Sequence, residues 1–274
     1  MRSRKVKTVR SLERGLDVLA ALQGSRAASL HDLHLITGLP KATLTRILLT
    51  LERRELIWQR NADNKYRPGY TLKENAQSIN DSDRVMEAAS PVLLELARKT
   101  GLGAHLAVPR DDCMELCEAS RLSAPMKDSR KRVGCRVNML RSGLGRAYLA
   151  FCTEEQRQQA LKRLGESGRA ENAIARDDVW VERAISETRR QGYGTRDEDY
   201  GTGLDKPKRG SGDGMAAIAV PIVLGDRVVG SINLLWRERM ATHQAIARRY
   251  LKDLKAAAEL VAQRLRNGFI RSKS

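Results

Sequence analysis

Residues 29–41, SLHDLHLITGLPK, constrain the fold of this chain more than any other stretch. Ser29 and Asp32 have the S-x-x-D spacing of a capping box, which predicts a helix beginning at Leu30. Gly38 stops that helix after two turns, because a helix C-terminus takes a left-handed residue that glycine adopts without strain. Pro40 then suits the first position of a new helix, PKATLTRILLTLERREL, where its missing N–H has no partner to lose. In that helix Leu44, Ile47, Leu48 and Leu51 recur at i, i+3, i+4 and i+7, and Ala42, Thr45, Arg46, Leu49 and Arg53 fall on the opposite face. A stripe of Leu30, Leu33 and Ile36 on the short helix, and one of Leu12, Leu16, Leu19 and Ala20 on a preceding helix over Ser11–Leu22, are expected to complete a three-helix core.

Two short helices joined by a tight glycine turn make a helix-turn-helix, whose second helix enters the DNA major groove with its N-terminal side chains on base edges. Thr45 and Arg46 are the expected base contacts, since an arginine grips guanine O6 and N7 with two bonds. Lys41 and Thr43 are placed to hold phosphate, and Ala42 to meet a thymine methyl. Beyond the helix, LIWQR and KYRPG flank the turn NADN and read as a β-hairpin wing carrying Arg60, Lys65 and Arg67 toward phosphates or the minor groove.

The competing interpretation is a small helical bundle whose charges only face solvent, and the placement of charge decides against it. Residues 1–72 hold 14 Lys/Arg against 6 Asp/Glu, whereas residues 73–274 hold 36 against 27, so nearly half of the net +17 sits in the first quarter of the chain. That is the footprint of a module that meets phosphates. The expected partner is double-stranded operator DNA, read by a winged helix-turn-helix over residues 1–70, with a polar linker helix over 71–82, TLKENAQSIND, leading to a larger domain over 83–274.

In that larger domain Ser90 and Pro91 are expected to open a helix that Gly101 closes. GAHLAVP, CMELCEA, MAAIAVPIVL and RVVGSINLLW read as strands, the last two joined by the turn Gly225-Asp226, and helices are expected over 154–164, 178–191 and 242–266. Strands interleaved with helices and containing a hairpin predict an α+β class.

The chemical candidate is LRSGLGRAYLAF, residues 140–151. Tyr148 stands where a dinucleotide fingerprint would have its third glycine, and no GK[ST] makes it a phosphate loop. Glycines that let backbone approach a ligand, with free N–H groups at a helix start, make an anion site instead. On the strand after position 226, Ser231 and Asn233 share a face at period two, pointing either into an apolar cavity or to solvent. His105 alternates with Ala107 on a strand and reads as structural. Residues 194–214, with six glycines and both charge signs, read as a lid over a pocket or as disorder. Cys113, Cys117, Cys135 and Cys152 form no CxxC pair and read as reduced structural thiols. With no GxSxG elbow, no HExxH, no Cys/His pairing and no metal cluster, no catalytic residue, metal or cofactor is expected. No run of 18 uncharged apolar residues occurs, so the chain is expected to be cytoplasmic and to have no membrane partner.

TVRSLERGLDVLAAL followed by SLHDLHLITGLPKATLTRILLTLERRELIWQ resembles the winged helix-turn-helix of IclR-type bacterial transcriptional regulators. PVLLELARKTG, RSGLGRAYLAF, RRQGYG and AIAVPIVLGDRVVGSINL resemble, in the same order, landmarks of that family's effector domain, so the likeness spans Thr8 to Leu265. Within the family the chain is most similar to MhpR-type regulators of phenylpropionate catabolism. The resemblance implies a GAF- or profilin-like effector domain, a homodimer or homotetramer, and control by a small anionic metabolite, often a carboxylate. It also implies that the amides of Gly143 and Leu144, in the turn that Gly145 completes, hold the effector's carboxylate, with Ala217 a further effector-binding candidate. Arg141 departs from the family, which has a small residue there; it either points inward at a carboxylate or lies on the surface or at a subunit contact. Arg196 falls where relatives place a polar or acidic effector contact. A ligand-controlled, sequence-specific regulator is therefore expected. Non-specific DNA packaging is the alternative, and an enzyme fused to a DNA-binding domain the more distant one.

Overall fold

The capping box and the glycine stop behave as the sequence requires. In a computed structural model describing residues 7–25, 27–72, 74, 81–120, 133–197, 200 and 214–267, the chain divides into two units, Met1–Asn80 and Asp81–Ser274.

In the first unit α1 (Arg10–Ser25), α2 (Leu30–Thr37) and α3 (Lys41–Arg53) precede the antiparallel hairpin β1 (Ile57–Gln59) and β2 (Tyr66–Pro68). Ser29 Oγ accepts from the Asp32 N–H while the Asp32 carboxylate accepts from the Ser29 N–H, and these bonds hold that carboxyl below its ordinary pKa. Gly38 closes α2 at φ 67°, its N–H donating to His34 O. Leu44 and Leu48 of α3 pack on Val18, Leu22, Leu33 and Ile57.

Three expectations need correcting. The core face of α1 is Val18 and Leu22, with Leu19 half-buried against that core as expected, whereas Leu12 is 61% exposed, Leu16 44%, and Ala20 also faces out. Both sides of this helix carry apolar residues at helical spacing, and the side chosen is the one meeting α2, α3 and β2. On α2 only Leu33 is buried, with Leu30 half-buried and Ile36 exposed, because eight residues give one inward position per turn. Pro40 caps α3 from just outside, and the helix ends at Arg53 rather than Leu56, since Glu55 turns the chain at φ 58°.

The second unit is a six-stranded antiparallel sheet in the order β5-β4-β3-β8-β7-β6: β3 (Gly103–Arg110), β4 (Cys113–Ala119), β5 (Arg136–Val137), β6 (Gly194–Thr195), β7 (Met215–Leu224) and β8 (Arg227–Arg237). The helices are α4 (Asp81–Thr100), α5 (Gly143–Phe151), α6 (Glu154–Glu166), α7 (Asp178–Gln191) and α8 (His243–Arg266). Strand alternation sorts side chains to two faces. Leu106, Ile218, Val220, Ile232 and Leu234 meet α4 and α8, while Ala107 and Ala219 meet the α5 side. α4 starts nine residues earlier than the Ser90-Pro91 signal suggests and carries Pro91 inside it. Val85, Ala88, Ala89, Val92, Leu93, Leu96 and Ala97 form one unbroken buried stripe, and that burial outweighs the single helix bond a proline removes. The expected 71–82 linker helix and 194–214 lid lie largely outside the described residues.

Candidate functional site

On the first unit, α3 turns Lys41, Ala42, Thr45, Arg46, Leu49 and Arg53 outward, with Thr43 half-buried. Thr45 Oγ1 donates back to Lys41 O (3.0 Å), which fixes the hydroxyl but leaves its lone pairs outward. In the hairpin, Arg60 forms a two-pronged ion pair with Asp63 inside the turn, so its charge is already matched. That guanidinium holds the Asp63 carboxyl far below the usual carboxylate range. Lys65 is half-buried, and Arg67 sits opposite the exposed Trp58 with its Nε buried.

In the second unit a narrow cleft, partly open to solvent, lies between the start of α5 and the sheet. From the sequence-expected set it is lined by Gly143, Leu144, Arg196, Ala217 and Asn233. His105, Leu116, Cys135, Val137, Ser142 and Leu235 complete its wall, and no carboxylate side chain is among these residues.

Three other expected residues stand elsewhere. Arg141 has a 40% exposed side chain directed at Asp197 (Nε to Oδ2, 3.9 Å), so the surface alternative holds for it. Gly145 faces backbone: a Cβ there would come closer than 3.0 Å to the Cα, C and O of Met139. Ser231 shares the face of Asn233 and is fully buried, with no hydrogen-bond partner for its Oγ among the described residues, but it does not line the cleft.

Each wall of the cleft has a local cause. Ser142 caps α5 by accepting from the Gly145 N–H (3.0 Å), which leaves the N–H groups of Gly143 and Leu144 without intrahelical acceptors. Gly143 and Gly194 let α5 and β6 touch backbone to backbone; a Cβ on Gly194 would strike Gly143 O and Ala147 N. Arg146 locks that contact. Its Nε donates to Leu140 O (2.7 Å), Nη1 to Thr195 O (3.3 Å) and Nη2 to Asp197, and it lies 5.4 Å from the Trp180 ring centre. The lock brings in Arg196, which is 6% exposed and donates through Nε (3.2 Å) and Nη2 (2.7 Å) to Tyr200 O. On the floor, Asn233 Oδ1 accepts from the His105 N–H (3.2 Å).

Sequence reasoning missed Asn138, Arg146, Asp197 and Tyr200. Asn138 had a usable signal, an Asx turn two residues before Leu140: its Oδ1 accepts from the N–H groups of both Leu140 and Arg141 (2.9 Å each). The others are brought together by bonds that span long stretches of sequence, Arg146 to Thr195 and Asp197, and Tyr200 to Asn138, which leave no local pattern.

Burial separates the thiols. It pushes Cys117 and Cys152 up to about 11 and raises Cys113, while Cys135 is half-exposed at the cleft. Native protein treated at pH 8 with a limiting thiol reagent should therefore label Cys135 first, and mass mapping that finds the label spread over all four cysteines would refute the cleft's accessibility.

Among the described residues no helix is long and apolar enough to cross a membrane, and no group of three or more His, Cys, Asp or Glu could hold a metal ion. Residues 11–60 match the family model described as the IclR helix-turn-helix domain, and residues 77–263 match that of the bacterial transcriptional regulator IclR C-terminal domain. The chain is 27% identical over 205 residues to the transcriptional repressor IclR of Escherichia coli, covering 72% of each chain. Its fold is similar to an IclR-family regulator from Brucella abortus, at TM-score 0.52 and 19% identity over 96% of both chains. It is also similar to an IclR homologue from Microbacterium hydrocarbonoxydans complexed with 4-hydroxybenzoate, at TM-score 0.50 and 20% identity over 94% of this chain and all of that one.

Proposed function

The chain belongs to the IclR family of bacterial transcriptional regulators, and from that premise we propose that it is a sequence-specific operator-binding protein controlled by a small carboxylate held in the α5 cleft. The observation that carries the ligand half of this reading is the meeting of two anion-attracting features, the amides of Gly143 and Leu144 at the start of α5 and the buried Arg196, in a cleft whose lining holds no acidic side chain among the described residues. Asn233 supports it: with its oxygen engaged by His105, its NH2 is the end left for a ligand. The apolar floor of Leu116, Val137, Ala217 and Leu235 suits the body of an aromatic or short aliphatic acid, as the 4-hydroxybenzoate in the structural neighbour illustrates for that protein. Ligand binding shifts the chain between arrangements of differing operator affinity. We infer a homodimer or homotetramer whose paired heads read a pseudo-palindromic site.

Footprinting on the DNA upstream of its own gene tests the DNA half, since uniform binding with no protected site would favour packaging instead. Arg46→Ala is expected to weaken operator binding roughly tenfold to a hundredfold while leaving weak non-specific binding within about threefold. Unchanged sequence preference in that variant would refute the assignment of α3. A thermal-shift screen of aromatic and aliphatic carboxylates tests the ligand half; a stabilising hit that Arg196→Met abolishes is the expected result.

A further inference from the structure

Tyr200 joins Arg196 of the cleft lining to Asn138 in the turn before α5. It is 7% exposed. Its carbonyl oxygen accepts two bonds from Arg196, and its ring lies 4.9 Å beneath the same guanidinium. At its other end the phenolic oxygen accepts from the Asn138 N–H (2.7 Å), 62 residues away in sequence.

Asn138, 3% exposed, is the hub of the turn that launches α5. Besides the two amides bound by its Oδ1, its main-chain oxygen accepts from the Ser142 N–H (3.2 Å), the residue that caps α5. Its Nδ2 donates to Asn172 Oδ1 (2.7 Å) and Glu171 O (3.3 Å), and Asn172 Nδ2 donates to Asp112 Oδ2 (3.1 Å). A continuous set of buried and part-buried hydrogen bonds thus runs from Arg196, through Tyr200, to the turn that aims the Gly143 and Leu144 amides, and on to the β3–β4 turn. Buried polar networks of this kind respond as a unit, because each unmade bond is costly away from water.

We propose that Tyr200 is a positioning residue that couples Arg196 to the Asn138 turn. An anion that draws the Arg196 guanidinium into the cleft takes it from the carbonyl and ring of Tyr200. The phenolic oxygen carries that change to Asn138 and so to the amides at the start of α5. The proposal rests on the anion-binding reading above, but its central test requires no ligand.

The test is a double-mutant cycle in the full-length protein with Tyr200→Phe, Arg196→Met and their combination, read by amide hydrogen exchange of the 138–145 segment. Tyr200→Phe removes only the hydroxyl and retains the ring and carbonyl that seat Arg196. Each single variant is expected to speed exchange in this segment by roughly tenfold, the loss of about one net hydrogen bond, with β7 and β8 unchanged. The double variant should exchange no faster than the faster single one. Effects that multiply, or an Arg196→Met variant whose turn exchanges as in the wild type, would overturn the coupling. Where Arg196→Met does not fold, Arg196→Lys closes the same cycle by keeping the charge and losing the two-pronged grip.

A second measurement separates failure of the coupling from failure of the anion site. Cys135 is alkylated in parallel with iodoacetate and with neutral iodoacetamide, the thiolate displacing iodide in both cases. A cleft that attracts anions raises the iodoacetate to iodoacetamide rate ratio above that of denatured protein; Arg196→Met should lower it, and Tyr200→Phe should hold it within about twofold. No excess ratio in the wild type would overturn the anion site itself, and a ratio lost in Tyr200→Phe would overturn the separate role given to the hydroxyl.

Discussion

Gly145→Ala should lower the melting temperature of the second unit by about 6–12 °C, by scanning calorimetry of the full chain, because the added methyl has no space. Its Cβ would lie closer than 3.0 Å to three backbone atoms of Met139. Backbone cannot swing aside as a side chain can. Met139 is itself fully buried, and Asn138 and Leu140 on either side of it are tied by hydrogen bonds. Relief therefore means moving the whole turn, which puts the cost at the upper end of overpacking, about 3 kcal/mol, and a unit of this size loses about 2–4 °C per kcal/mol. Gly143→Ala is the control: its Cβ would meet Gly194 O at 3.1 Å, a contact that small adjustments can relieve. A Gly145→Ala protein melting within about 2 °C of the wild type would show that the turn is softer than its bonding implies.

Leu44→Ala should abolish operator binding without altering any residue assigned to DNA. Leu44 is fully buried in the cluster formed by α1, α2, α3 and β1, and all members of that cluster lie between Val18 and Tyr66. Truncating a buried leucine costs about 2–5 kcal/mol, a large part of the total stability of a unit this small. The expected signature is a protease-sensitive first unit and lost operator affinity, with the calorimetric transition of the second unit retained. Arg46→Ala should show the opposite pairing of weak binding and normal protease resistance, so the two variants together distinguish loss of the head from loss of its reading surface. Full operator affinity in Leu44→Ala would refute the assignment of the core.

Where the sequence was legible, the signal was local. The Ser29/Asp32 box, the Gly38 stop and the β7–β8 hairpin across Gly225-Asp226 are all written within a few residues, and each forms as expected. The face of α1 was not legible, because Leu12 and Leu16 on one side are as apolar as Val18 and Leu22 on the other. In the cleft, the glycine turn that starts α5 could be anticipated, whereas the arginine that matters for its assembly could not. Arg141 and Arg146 are equivalent in composition, and only the Leu140 and Thr195 carbonyls select Arg146. The glycines were read as room for a ligand. Gly143 does line the cleft, but Gly145 and Gly194 are there so that a helix can press on a turn and on a strand.

That close packing has a consequence for altering what the protein responds to. Where α5 meets β6, backbone lies against backbone, and a side chain added at Gly194 would strike Gly143 O and Ala147 N. The floor is different: Leu116, Val137, Ala217 and Leu235 carry side chains, so the volume there can be changed by substitution. Libraries aimed at a changed ligand response should hold residues 143–146 and 194 fixed and vary those four positions.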